Sequence, residues 1–249
     1  MERIKIRAFK AVDEPATCEE FIRQHRKVLE DFGISHVNTN TDIWVHDPDT
    51  YVIIAESPNL GMVGGLRIEV ASERRPLPII GALTPLDPRI TQVMREWEKE
   101  GCGEICGLWN ANRFAGRGLP TLLGYAAVAI ANQIGVRALT CLIAHYTLRH
   151  ALRLGFSIME GVGEEGTFSY PIPSIKAIAL VMTDTILIEG ARNTHRLPVI
   201  SLRVRPKQVR LEQVAAEPVL VEYDLQLDTH LVDVRAYHEL HVERLRHSA

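Results

Sequence analysis

The chain opens on an alternation. Ile4, Ile6 and Ala8 stand between Arg3, Lys5 and Arg7, the period of two that predicts a strand with one buried face. From Thr17 the period changes. Phe21, Ile22, Val28, Leu29 and Phe32 recur at helical spacing, which predicts an amphipathic helix capped by Thr17 and closed by Gly33. His36 to Thr50 is polar and carries Asp47-Pro48, so a loop is expected. Tyr51–Ala55 and Met62–Ala71 predict two strands joined by a turn at Pro58-Asn59-Leu60-Gly61. Pro76, Pro78 and Pro85 each remove a backbone donor, and no regular structure is expected over Arg74–Asp87. Helical spacing returns at Ile90, Val93, Met94 and Trp97, with Pro88 in the first turn.

The second half is more apolar. Gly101 and Gly103 bracket a break before Glu104–Trp109, a strand candidate. An Ala- and Leu-rich stretch from about Gly118 to Gln133 predicts a long helix, with Gly135 just beyond it. Ala138–Ala144 is a continuous apolar run of strand length, the kind buried on both faces. His145–Leu154 predicts a helix closed by Gly155-Phe156, and Ile175–Met182 another buried strand. Alternating strands and helices favour a layered α/β arrangement. After Gly190 the texture changes, with Pro198, Pro206 and Pro218 punctuating short strand-like pieces. The expected organisation is a main domain over residues 1–189. Residues 190–249 form a strand-rich appendage that packs on it or pairs across a homodimer.

Composition narrows the class. Among 249 residues, 46% are hydrophobic and 24% charged, enough apolar surface to exclude a disordered chain. A net charge of −3 gives no global field for nucleic acid or anionic lipid. The longest nearly apolar run, Leu119–Ala131, is interrupted by Pro120 and Thr121 and is shorter than the roughly 20 residues of a membrane span. The four cysteines lack Cys-x-x-Cys spacing, so no disulfide scaffold is expected, and the cytoplasm is the expected compartment. His238-Glu-Leu-His241 has its histidines three apart rather than the four of zinc-binding helices, so no metal is expected.

The most informative segment is Arg113-Phe-Ala-Gly-Arg117-Gly118, between a predicted strand and a predicted helix. Glycines at 116 and 118 let the backbone approach a ligand closely. The following helix start offers unpaired N–H groups and a favourable dipole, a setting suited to a pyrophosphate, to which Arg113 or Arg117 could add a charge-assisted contact. The alternative is a Gly-rich connection with no ligand.

Arg-x-x-Gly-x-Gly after a strand and before a helix resembles the acyl-CoA loop of the GNAT superfamily of N-acetyltransferases. The strand Ala138–Ala144 and the helix ending in Leu154-Gly155-Phe156 are similar to that superfamily's next elements. The resemblance implies a mixed, mostly antiparallel sheet that splays between the strands at 104–110 and 138–144, flanked by helices. It implies acyl-CoA or acetyl-CoA as donor, with backbone contacts from Leu108, Trp109 and Asn110. The phosphates would sit on Arg113, Ala115, Gly116, Arg117, Gly118 and Leu119. Gly64-Gly65-Leu66-Arg67, the proline-rich segment and Glu104-Ile-Cys-Gly-Leu-Trp109 more loosely resemble acyl-homoserine-lactone and N-acyl-amino-acid synthases, which often draw on acyl carrier protein. The lactone group generally carries an arginine soon after the strand glutamate, where this chain has Gly107 and Leu108.

Acyl transfer to a small-molecule amine needs a base, a polarised carbonyl and a proton for the thiolate. Glu104 is the expected base; the alternative is that it begins a strand or pairs with a surface cation. Arg67 and Glu69, on one strand face, could take an amino acid's carboxylate and ammonium, or simply pair with each other. The superfamily's usual tyrosine position is Ala151 here, so Tyr146 is the expected thiolate acid. Cys106 as an acyl-accepting nucleophile is the lesser alternative, since buried cysteine is usually inert packing. Trp109 and Phe114 are expected in the core rather than in an acyl tunnel. Arg203, Arg205, Lys207 and Arg210 form a local basic run, either a solvated face or a docking patch for acidic carrier protein. Three functions remain open: an acyl-CoA-dependent N-acyltransferase, a carrier-protein-dependent synthase, and a non-catalytic acyl-thioester sensor.

Overall fold

The computed structural model describes residues 2–31, 33 and 42–248. Strands β1 (Glu2–Lys10), β2 (Thr50–Ser57), β3 (Gly61–Val70) and β4 (Cys102–Asn110) form consecutive antiparallel neighbours. Beyond β4 lie β5 (Ala138–Ala144), parallel to it, then β8 (Lys176–Met182), which also pairs with the short β6 (Ser157–Ile158) and β7 (Thr167–Ser169). At the other end β10 (Val219–Asp224) runs parallel to β1, and β9 (Lys207–Glu212) closes the edge. The result is a mixed, mostly antiparallel sheet flanked by helices, as expected. Residues beyond 190 thus extend the same sheet from the side of the first strand.

Helix α4 (Leu119–Ile130) lies on one face, and every residue except Pro120 is buried. A helix apolar all round must be covered all round. The sheet covers one side, while α5 (Leu148–Arg153) and α6 (Asn193–Val204) pack on others. On the opposite face α1 (Pro15–Asp31) covers β3 and β4. Helices α2 (Pro78–Leu83) and α3 (Arg89–Lys99) cover β4 farther along. Helix α7 (Val234–Ser248) packs on α6.

Several local expectations are corrected. Helix α1 begins at Pro15, so Thr17 lies in its first turn and donates its hydroxyl to Glu14 at 2.9 Å instead of capping. Phe32 and residues 36–41 of the expected loop lie outside the described residues. Ile43–His46 forms a 3-10 turn that buries Trp44 and Val45. Regular structure does occur inside the proline-rich segment. Pro78 sits at the start of α2, where a missing N–H costs nothing, and the Ile79 N–H finds a carboxylate on β4. Helix α6 replaces strand-like pieces after Gly190 despite Pro198 within it, because buried Val199, Ile200 and Leu202 pack into the core around α4. His145–Thr147 is a 3-10 turn ahead of α5.

Arg203 corrects the basic run. It is buried, and its guanidinium donates to the carbonyls of Ile186, Val128 and Thr185, pinning α6 against α4. Arg210 is tied to Glu212 at 2.6 Å and Ser201 at 2.8 Å. Only Arg205 and Lys207 of the four are exposed. No helix among the described residues is long and apolar enough to cross a membrane.

Candidate active site

Strands β4 and β5 pair only from Cys102↔Ala138 to Ile105↔Cys141. Past that point β4 stays with β3 as far as Gly64↔Asn110, and β5 stays with β8 as far as Ala144↔Ala177. The two neighbours therefore diverge, and each presents a free edge of backbone N–H and C=O groups to the gap. A bulge sharpens the divergence. The register shifts between Gly65↔Trp109 and Arg67↔Cys106, leaving Gly107 and Leu108 together opposite Leu66. Gly107 has φ +59°, which suits a bulge glycine, and an added Cβ would stand 2.8 Å from the Arg67 guanidinium. Leu108 is turned outward, 40% exposed.

Beside the mouth of this splay lies a buried polar row. Cross-strand pairs Arg67↔Cys106 and Glu69↔Glu104 put four side chains on one sheet face, each 2–5% exposed. They separate an apolar cluster around Ile79, Met94 and Phe168 from another around Phe21, Trp44 and Trp109. Arg67 donates from Nε to Glu69 at 2.7 Å and stacks over the Trp44 ring at 4.9 Å. Arg75 Nη2 lies 2.5 Å from the other Glu69 oxygen and also holds Asp47. Glu104 accepts the Ile79 N–H at 2.7 Å, so it anchors the start of α2 from a strand.

The charges in this row are strongly perturbed. Burial pushes the Glu104 carboxyl up to about 8, against the Ile79 hydrogen bond and with help from the Glu69 charge. Burial likewise drives the Cys106 thiol well above its ordinary value, with the neighbouring Glu104 adding to it. That makes Cys106 a poor thiolate nucleophile. His25, next to Arg67, is held down to about 4, first by burial and then by that guanidinium. Tyr170, which sequence reasoning did not single out, feels both Glu104 and Cys106; burial first, then these two, raise its phenol.

The loop after β4 is built differently. Asn112–Phe114 forms a 3-10 turn, and Gly118 (φ +74°) is the residue before α4. An added Cβ on Gly118 would lie 2.5 Å from Val214, so only glycine fits this crossing of the chain. The first turn of α4 contains no acidic residue, but Pro120 has no N–H and the Thr121 N–H bonds the Gly118 carbonyl at 3.0 Å, so the helix start offers an outside anion its dipole and the Leu119 N–H. Ala115, Gly116 and Arg117 are exposed, and Leu119 is buried at the helix start. Arg113 donates to the Leu60 carbonyl at 2.8 Å, and Arg117 pairs with Glu2 at 2.8 Å.

The expected residues thus divide. Arg67, Glu69 and Glu104 come together, with Cys106; Arg113 to Leu119 form a separate turn at the start of α4. Trp109 and Phe114 are core residues, Trp109 edge-on to Phe21 at 5.9 Å. The Asn110 side chain donates to the Ala111 carbonyl at 3.2 Å. Tyr146 sits on the turn after β5, 63% exposed, against His145. Ala151 packs against the α4 core. His238 and His241 are exposed; the side chain of His247 lies outside the described set.

Solved structures resemble this arrangement. FeeM, an N-acyl amino acid synthase from uncultured soil microbes, superposes with a TM-score of 0.61 at 14% identity, covering 79% of this chain and 98% of its own. The fold is GNAT-like. BjaI, a CoA-dependent acyl-homoserine lactone synthase, matches with a TM-score of 0.52 at 12% identity over 96% of this chain and 99% of its own. An acyl-CoA N-acyltransferase from Pseudomonas aeruginosa gives 0.51 at 14% identity, over 72% and 98%. No protein-family model matches the chain, nor does any of the curated proteins compared with it.

Proposed function

We propose that this chain is an N-acyltransferase that moves an acyl group from acyl-CoA to the amine of a small molecule or amino acid. The observation that carries the reading is a carboxylate of raised pKa, Glu104, at the last paired stretch of two splayed strands. An acyl-pantetheine arm laid in the splay can bond to the free β4 edge, with its phosphates at Gly116–Leu119. There the Leu119 N–H and the dipole of the α4 start suit a pyrophosphate, and Arg117 could turn from Glu2 to the ligand. Backbone donors at Gly107 and Leu108 would polarise the thioester carbonyl.

The amine attacks that carbonyl directly. The new C–N bond forms, the C–S bond breaks and ionised Glu104 accepts the ammonium proton. Arg67 and Glu69, paired with each other, hold the charge environment in which Glu104 ionises near neutral pH. The likeness in fold to an N-acyl amino acid synthase supports an amino acid as acceptor; a thioester on acyl carrier protein is the second donor to test.

The test is thermal shift with CoA, acetyl-CoA and palmitoyl-CoA, followed by thiol release from the binding donor across a panel of amino acids and amines. A donor at 100 times its Kd raises stability by about 2.7 kcal/mol. No shift with any thioester, free or on acyl carrier protein, overturns the reading. Binding without turnover across the panel makes the protein a thioester sensor.

A further inference from the structure

Three helices meet beside the start of α4. Helix α5 abuts its first turns: Thr121 Oγ1 stands 3.5 Å from His150 Nδ1, and Leu154 fills the space beside Gly124. The chain entering α6 returns to the end of α5, where the Arg192 N–H donates to the Arg153 carbonyl at 3.3 Å. One turn along α4 from Thr121, the Tyr125 hydroxyl bonds His195 Nδ1 of α6 at 2.7 Å. These contacts gather Arg149, Arg153 and Arg192, all exposed, around the half-buried His150 and His195. Arg149 Nε lies 3.4 Å from His150 Nε2.

The charge of this face is uncompensated. Arg3, Arg74, Arg89 and Arg117 are exposed too, yet each holds a carboxylate. Among the described residues none of Arg149, Arg153 and Arg192 forms an ion pair, nor does Glu189, the carboxylate nearest to Arg192 along the chain. The imidazoles register the excess. Burial first, then Arg149 and Arg153, hold His150 below its ordinary value; burial, Arg153, Arg192 and His150 do the same at His195. The first turn of α6 carries no acidic residue, so its dipole adds to the positive potential. In a chain of net charge −3, three arginines on one face are left for an outside anion.

The geometry points to a second phosphate site: Arg149, Arg153 and Arg192, with His150 and His195 beside them, take the ribose 3′-phosphate of a CoA donor. The inference rests on the acyl-transfer reading above and names which donor the protein selects. Thr121, where the patch begins, lies in the same turn of α4 as the Leu119 N–H offered to the pyrophosphate. A ligand whose pyrophosphate and phosphomonoester share one ribose can therefore span the helix start and the patch. Guanidinium forks match the oxygens of a phosphomonoester, each with two parallel bonds. Phosphopantetheine on a carrier protein has no 3′-phosphate, so this contact favours free CoA thioesters over carrier-bound ones.

The experiment is calorimetric titration with CoA and with dephospho-CoA, which lacks only that phosphate, on wild type and on the double variant Arg153→Gln, Arg192→Gln. Wild type should bind CoA about tenfold more tightly at low salt, and the gap should narrow at high salt because the arginines are exposed. The double variant should bind both ligands alike, at the wild-type affinity for dephospho-CoA, and should melt as wild type does. Adenosine 3′,5′-bisphosphate should displace CoA from wild type more effectively than AMP does. Equal wild-type affinities for CoA and dephospho-CoA, or a preference that survives in the double variant, overturn this site and leave acyl transfer standing. Thiol release from acyl carrier protein alone, lost in the double variant, makes the patch a carrier surface and overturns the phosphate site too. No binding and no thiol release with any thioester overturns the acyltransferase reading and this site with it.

Discussion

The polar row on β3 and β4 and the loop entering α4 are the two halves of the proposed site, and they are built in opposite ways. The row is assembled from side chains distant in sequence, sealed from water and pre-paired. The loop is a contiguous stretch, exposed, and offers mainly backbone. In the row, desolvation sets the chemistry, since a carboxylate there titrates near 8 instead of 4.5. At the loop, geometry does the same job, with glycine opening an approach to the backbone at the helix start. Substitutions should therefore act on rate in the row and on donor affinity at the loop, with a stability cost in both.

The largest effect is expected from Glu104→Gln. Removing the base should lower kcat by about 10²–10⁴-fold while the melting shift with CoA is retained. The same variant has a stability signature. Glu104 holds its proton more tightly folded than unfolded, so wild-type stability falls as pH rises from about 4.5 to 8. Urea titrations across that window should show the slope in wild type and its loss in Glu104→Gln.

Next comes Arg67→Met, which leaves Glu69 with Arg75 as its remaining charge partner. Breaking a buried pair this dry should cost about 3 kcal/mol in urea unfolding. A third contrast lies within the loop. Gly118→Ala meets both a left-handed backbone and Val214, and should cost about 2–4 kcal/mol and weaken CoA binding. Gly116→Ala meets only the backbone term, about 1–2 kcal/mol, because its surroundings are open. The smallest stability effect should be Arg117→Ala, below about 1 kcal/mol, since its pair with Glu2 is exposed. If Gly116→Ala and Gly118→Ala behave alike, Val214 does not constrain the loop.

How much of this was legible in the chain depends on how local each signal is. Strand β5 is marked by a run of apolar residues and was located to the residue. The Gly118 boundary of α4 is written in three adjacent positions: a glycine, an apolar residue and a proline. The proline-rich stretch misled, because α2 depends on a carboxylate from β4 that bonds the Ile79 N–H. Helix α6 misled for a related reason, since the apolar surface that favours it is on α4. Glu104 could be nominated from its place on a strand, but its desolvation comes from α2, β3 and their side chains together. Tyr170 had no signal at all. Its relation to Glu104 exists only once β7 and β8 fold back on the sheet. Contiguous features were readable, and features made by three elements meeting were not.

The central claim is that a buried carboxyl at the splay, Glu104, drives acyl transfer as a base. The most direct measurement is the pH dependence of kcat/KM for wild type and Glu104→Gln with the same thioester and amine. Wild type should rise tenfold per pH unit at low pH and level off near 8, as the free enzyme's carboxyl ionises. The variant should be slow and lack that limb. A wild-type profile that is flat through 8, or a limb that persists in Glu104→Gln, would contradict the account.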